Sequence, residues 1–205
     1  MAGRSGAWPH GLPAARVLSR GSDRVEWGWL ENRPFLRCLA SWMLVRAEAG
    51  GAAEALRYAR ELLALNPNDN QGVRCVAMTW LLEAGGNEEA VELAKKYPED
   101  SCAETAYGRA LALFRLGRFD EAGDGLRDAV ADLPLVAAEL PKTKHRAPRR
   151  HLPGAITVGG ADQAYAYWES SGALWSGTLG ATDWLRRVQA AVKAAATDEP
   201  PAADR

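Results

Sequence analysis

The sequence predicts an all-α protein, a right-handed solenoid of about three helix pairs with a C-terminal helical pair as its cap. Three observations predict it. The stretches "GGAAEALRYARELLALNP", "AGGNEEAVELAKKYPED" and "LGRFDEAGDGLRDAVADLP" share one plan: Gly, a short gap, Glu-Ala, then an amphipathic run that ends at Pro. Ala55, Ala90 and Ala122 stand 35 and 32 residues apart, and Gly50, Gly85 and Gly117 each precede their alanine by five residues. Between residues 33 and 131 the apolar residues recur with a helical period and do not alternate, so no sheet is expected there.

Each element follows from local chemistry. Residues 1–22, broken by Gly and Pro and without a continuous apolar core, read as a disordered N-terminal segment and not as a leader. Residues 23–135 hold the repeats, with units opening at Leu36, Gln71 and Ala103. In each unit the Gly supplies the left-handed residue that ends the first helix. The small alanine lets the second helix approach the first, and Pro stops that second helix. Repeat two meets its proline early, at Pro98, so its second helix loses about a turn.

The corner "LNPNDNQGVR", residues 65–74, raises a sharper question. Pro67 with Asn66 ends a helix, and Asp69 or Asn70 can cap the next one. Gly72 costs about 1 kcal/mol against alanine in a first helical turn, which suggests a close neighbour, either a packed helix or a ligand. Arg74 falls at an interior-facing position, so a mostly buried guanidinium is expected, with several carbonyl partners or a carboxylate, for which Glu54 and Glu104 are the candidates. Pro67, Gly72 and Arg74 are therefore read as structural. Residues 136–161 form a basic, Pro-rich connector, and 162–195 a helical pair with Asp162 and Thr182 as caps. The apolar stripe of that pair runs through Ala164, Tyr165, Tyr167, Trp168, Leu174 and Trp175, then Trp184, Leu185, Val188 and Val192. Residues 196–205 read as a disordered tail.

A period near 34 residues built of helix, Gly turn and helix resembles the tetratricopeptide repeat. The resemblance is weaker in the first helices, where Arg74 and Arg109 stand at interior positions beside Leu39, Ala106, Trp42 and Ala77. Peptide-binding members of that family hold a carboxylate clamp of Lys, Asn and Arg. The matching places here are Ala40, Leu44, Val76, Glu104 and Gly108, so no chaperone-tail clamp is expected. The run from about Trp27 to Leu185 is similar to the suppressor-of-tumorigenicity-seven family and its bacterial relatives, through "ENRPFLR", "LNPNDNQGVR", "GGADQAYAYW" and "GATDWL". That resemblance implies a helical protein with no established enzymatic chemistry.

Composition narrows the function classes. Twenty-five basic against 26 acidic residues leave a net charge of −1, so a global basic field for nucleic acid is absent. The three cysteines, Cys38, Cys75 and Cys102, lack close spacing and are expected to be free, mostly buried thiols in a reducing, cytoplasmic setting. No stretch approaches the roughly 18 apolar residues of a membrane helix. His10, His145 and His151 have no metal-ligand spacing, and no phosphate loop or nucleophile motif appears. Neither enzyme chemistry nor a cofactor is expected. Five tryptophans at helical spacing, Trp42, Trp80, Trp168, Trp175 and Trp184, are expected in the core.

Two surfaces remain. The first is the concave groove of the leading helices, where Arg37, Ser41, Asn70, Thr79, Glu104, Tyr107 and Arg115 could hold a peptide or helix of a protein partner. The sequence thus reads first as an interaction adaptor or scaffold. The second is "KTKHRAPRRH", residues 142–151, with Lys142, Lys144, Arg146, Arg149 and Arg150. It supports the alternative of an accessory protein that meets nucleic acid or an acidic partner.

Overall fold

The computed structural model describes residues 24–98, 100–149 and 155–198. Among them the regular secondary structure is all helix, with no strand. A short 3-10 turn, Leu30–Asn32, leads into α1 (Arg33–Gly50), α2 (Ala52–Leu65), α3 (Val73–Glu83), α4 (Asn87–Lys95), α5 (Ala103–Arg115), α6 (Phe119–Asp132), α7 (Pro134–Glu139), α8 (Ala161–Ser176) and α9 (Ala181–Asp198). The expectation for residues 1–22 lies outside the described residues. Of the tail, residues 196–198 belong to α9.

Successive helices pack on one another from α1 to α6, and α3 also packs on α5. The repeated alanine explains the close pairing: Ala55, Ala90 and Ala122 are each fully buried, one at the first turn of every second helix. Gly108 serves the same end between α3 and α5, where an added Cβ would lie 2.6 Å from Met78 Cγ. The turn glycines behave as expected with one change. Gly85 and Gly117 have φ of 76° and 74°, but in the first unit the left-handed residue is Gly51, at 82°, and Gly50 ends α1. The shortened second helix of unit two is α4, nine residues long.

The 65–74 corner differs from its reading in two ways. Gly72 has φ +70°, and a Cβ there would meet nothing within 4 Å. Its glycine answers to backbone conformation, not to a close neighbour. Arg74 does not reach Glu54 or Glu104. Its Nε and Nη2 donate to Asp100 at 2.7 Å each, and its Nη1 donates to Asp69 at 3.0 Å. Glu54 pairs instead with Arg46 on α1. Asp69 also accepts the Val73 and Arg74 amides at 2.8 Å, so one buried carboxylate caps α3 and anchors the arginine. Asn70 is exposed and leaves the capping to Asp69.

Three further readings change. Part of the predicted connector is helical, since Pro134 opens α7 as an N1 proline. Thr182 does not cap α9 but is its second residue. Cys75 and Cys102 are joined as a disulfide with Cα atoms 6.6 Å apart, and Cys38 is a free, exposed thiol. The expectation of buried free thiols fails because the two units bring α3 and the start of α5 into contact.

The Asp69–Arg74–Asp100 cluster carries a pH signature. Burial pushes the Asp100 carboxyl up, but the Arg74 hydrogen bonds and the Cys102 amide outweigh this and hold it below the usual carboxylate range. An unfolded Asp titrates near about 4, so this stabilisation is complete above that pH and is lost as pH falls through the lower folded value. Arg74→Ala strands two carboxylates whose side chains are 1% and 3% exposed. The expected loss is about 3 kcal/mol at neutral pH, measured by urea denaturation. The deficit should shrink toward about pH 4, where protonation of Asp100 relieves its stranded charge.

Candidate functional site

The seven residues expected to line one groove do not share a surface. Arg37 and Ser41 lie on the exposed side of α1, and Asn70 lies in the corner. Thr79, Glu104, Tyr107 and Arg115 lie on α3 and α5, the two helices that α8 crosses. The inner face is occupied by the chain itself.

The contacts of α8 run the length of that face. Gln163 Nε2 donates to the Ser101 carbonyl at 3.0 Å, and Thr79 Oγ1 meets Ser171 Oγ at 3.3 Å. Tyr107 is fully buried, donates to the Leu133 carbonyl at 2.8 Å, and packs its ring against Tyr167 and edge-on to Trp175. Trp175 Nε1 donates in turn to the Tyr167 hydroxyl at 2.9 Å. Burial pushes both tyrosine hydroxyls well above their ordinary range, so neither offers a proton at neutral pH.

At the other end sits Arg115, the last residue of α5. It donates to the Leu82 carbonyl at 2.8 Å, the Leu174 carbonyl at 3.1 Å and Thr178 Oγ1 at 2.9 Å. Leu82 and Leu174 lie in the last turns of α3 and α8, so one guanidinium satisfies carbonyls at helix C-termini where the macrodipole favours a cation. Burial pulls its pKa down, although an arginine remains charged.

Glu104 stands apart from these contacts. Its Oε2 lies 2.9 Å from Cys102 Sγ, and burial raises its pKa. Cys75, Cys102 and Glu104 have ligand atoms within 4.8 Å of one another. The disulfide takes both sulfurs out of thiolate form, the form a metal requires.

The basic segment leaves the bundle after α7. Its first cation, Lys142, pairs with Glu139, and the His145 Nδ1 lies 2.9 Å from the same carboxylate. Burial pushes Glu139 up, and these two partners pull it below the usual range. The His145 ring stacks on Trp168 of α8 with centroids 3.6 Å apart. Arg186 of α9 donates to the Pro141 carbonyl at 3.3 Å. Beyond these ties, Lys144, Arg146 and Arg149 are exposed, while Arg150 lies outside the described residues. On another side of the molecule, a groove of about 450 Å³ runs between α2 and α4, floored by Leu56, Leu63 and Leu93 and crossed by the Arg60–Glu89 ion pair.

Residues 11–196 match the model of the transcriptional repressor TCF25 family. The chain belongs to the Tcf25 family. No curated protein and no solved structure shows significant similarity to it. The match overturns the expected membership of the tetratricopeptide and suppressor-of-tumorigenicity-seven families. The features behind the tetratricopeptide expectation, a turn glycine, a small alanine and a stopping proline, meet needs common to closely packed helix pairs, and they do not separate one helical family from another.

Sequence reasoning missed the seat of α8. A signal was present: Gln163, Tyr167, Ser171 and Trp175 recur every four residues, and all four are buried. Two of them are polar, so the row did not read as a core stripe. Replacing Arg115 by Ala should loosen α8 from this Tcf25-family chain, because carbonyls of α3 and α8 lose one shared donor. Hydrogen exchange followed by mass spectrometry should show faster exchange in residues 161–176 than in α2 or α4.

Proposed function

We propose that this chain has a transcription-linked, nucleic-acid-associated role, with residues 142–149 contacting the phosphate backbone. The observation that carries it is the exposure of Lys144, Arg146 and Arg149 on a segment whose base is held by Glu139 and Trp168. Family membership supports the same reading, since the family is described as a transcriptional repressor. What weighs against the inner groove as the partner site is α8, which covers Thr79, Tyr107 and Arg115.

In this proposal the six paired helices are a scaffold, stacked as a right-handed solenoid with α8 and α9 as its cap. The chain acts by binding, without a reaction of its own and without a cofactor. Three phosphate contacts give weak, poorly specific affinity, because backbone contacts position a protein and do not read bases. A specific assembly therefore needs further contacts from a partner protein. A transcription-linked role favours the nucleic-acid compartment over the cytoplasm that composition suggested. Among the described residues no helix is long and apolar enough to cross a membrane.

The test is binding of duplex DNA and of single-stranded RNA by fluorescence anisotropy across a salt series. Three duplex phosphate contacts predict a log–log salt slope of about −2.7, that is about −0.9 for each. The triple variant Lys144→Ala, Arg146→Ala, Arg149→Ala should remove that slope while keeping the helical circular dichroism signal. A wild-type slope near zero, or binding untouched in the triple variant, would refute the proposal. Binding of polyglutamate but neither nucleic acid would move the segment to an acidic protein partner.

A further inference from the structure

Among the described residues, none covers one face of the first helix. Leu36 and Met43 bury the inner side of α1 against α2, yet Phe35, Trp42 and Val45 on the outer side are 39%, 46% and 51% exposed. Trp29 and Leu30, just before the helix, are each 65% exposed. Trp42 was expected in the core and is not there. Large apolar side chains grouped on one helix mark an interaction surface, and the end helix of a stack normally presents a polar face.

The order of these residues points to the occupant. The outer stripe is Phe35, Cys38, Trp42, Val45 and Ala49, at 7 and 4 residues before Trp42 and 3 and 7 after it. That spacing reads nearly the same in both directions. An antiparallel copy centred on Trp42 would therefore set Phe35 against Ala49, Cys38 against Val45, and Trp42 against itself. The charges agree. Arg37 stands five residues before Trp42 and Glu48 six after it, both exposed, so the same register places Arg37 of each copy beside Glu48 of the other. Arg37 rests over the Trp27 ring at 5.4 Å. A two-fold contact must be self-complementary, and this face is, in both its apolar and its charged residues.

We propose that α1 is a homodimer interface, in which two copies pair their first helices antiparallel about a two-fold axis at Trp42. The site is distant in the contact order from the basic segment, since α1 packs on α2 and on the preceding turn whereas that segment is tied to α7, α8 and α9. The contact is small, so a reversible equilibrium is expected and not a permanent dimer. A dimer would present two basic segments to one nucleic acid, but the pairing rests on α1 alone and stands whether or not that binding is found.

Sedimentation velocity on the full 205-residue chain tests this directly. The wild type should shift from monomer toward dimer as concentration rises to about 0.1 mM, the range of a small interface. Trp42→Glu should be monomeric throughout, with unchanged circular dichroism because the side chain is exposed. Arg37→Glu and Glu48→Arg should each weaken the dimer about fivefold, and the double variant should recover it, which a different partner or a bound segment of the same chain would not produce. In a Cys38→Ser background, Trp42→Cys should cross-link on mild oxidation, because only a residue on the axis meets its own copy. A wild type that stays monomeric would show that the face is covered by residues 1–23 or by another protein. That result, failure of the charge swap to recover the dimer, or absence of the cross-link in the Trp42→Cys variant would each overturn the proposal.

Discussion

The end of α5 carries the constraint on which the arrangement depends. Arg115 sits where α3, α5 and α8 finish, and its guanidinium serves carbonyls from two of them together with the Thr178 hydroxyl. Carbonyls in a last helical turn have no partner in their own helix, and burying them unpaired is costly. The Gly85 amide already reaches the Leu82 carbonyl and the Thr178 hydroxyl the Leu174 carbonyl, and one cation adds a charged donor to both, across about ninety residues of sequence. The inner face of the helix pairs then becomes core, and the exposed basic and apolar surfaces lie at its edges.

The same logic governs the other polar cluster. Arg74 is tolerable at an interior position because Asp69 and Asp100 arrive from the preceding corner and from the loop before α5. Asp69 does two tasks, capping α3 and holding the guanidinium, which ties the start of one unit to the start of the next. The short α4 leaves room for this, since the chain leaves that helix early and returns Asp100 toward Arg74. Tyr97 closes the site, with Arg74 over its ring at 5.2 Å and its hydroxyl donating to the Pro67 carbonyl.

Where the core is completed from within, recognition is left to what remains outside it. Family membership joins the chain to a group described by transcriptional repression, and the exposed cations after α7 are the chemistry best suited to that context. The outer stripe of α1 is a different kind of surface, apolar and self-complementary. It lies at the far end of the helix order from the basic segment.

By itself the sequence determined that the chain is helical, where its pairs turn, and that Arg74 needed carbonyl or carboxylate partners. These are local matters: a helical period, a left-handed glycine and a stopping proline depend on residues within one or two turns. Tertiary structure decided which acid Arg74 meets, that Cys75 meets Cys102, that Trp42 lies outside, and that α8 fills the face read as a groove. Each of those depends on contacts between residues far apart in the chain, and a helix pattern carries the same amphipathic stripe whether it covers its own core or waits for another molecule. The sequence could name four residues of α3 and α5, Thr79, Glu104, Tyr107 and Arg115, therefore, but not what would lie upon those helices.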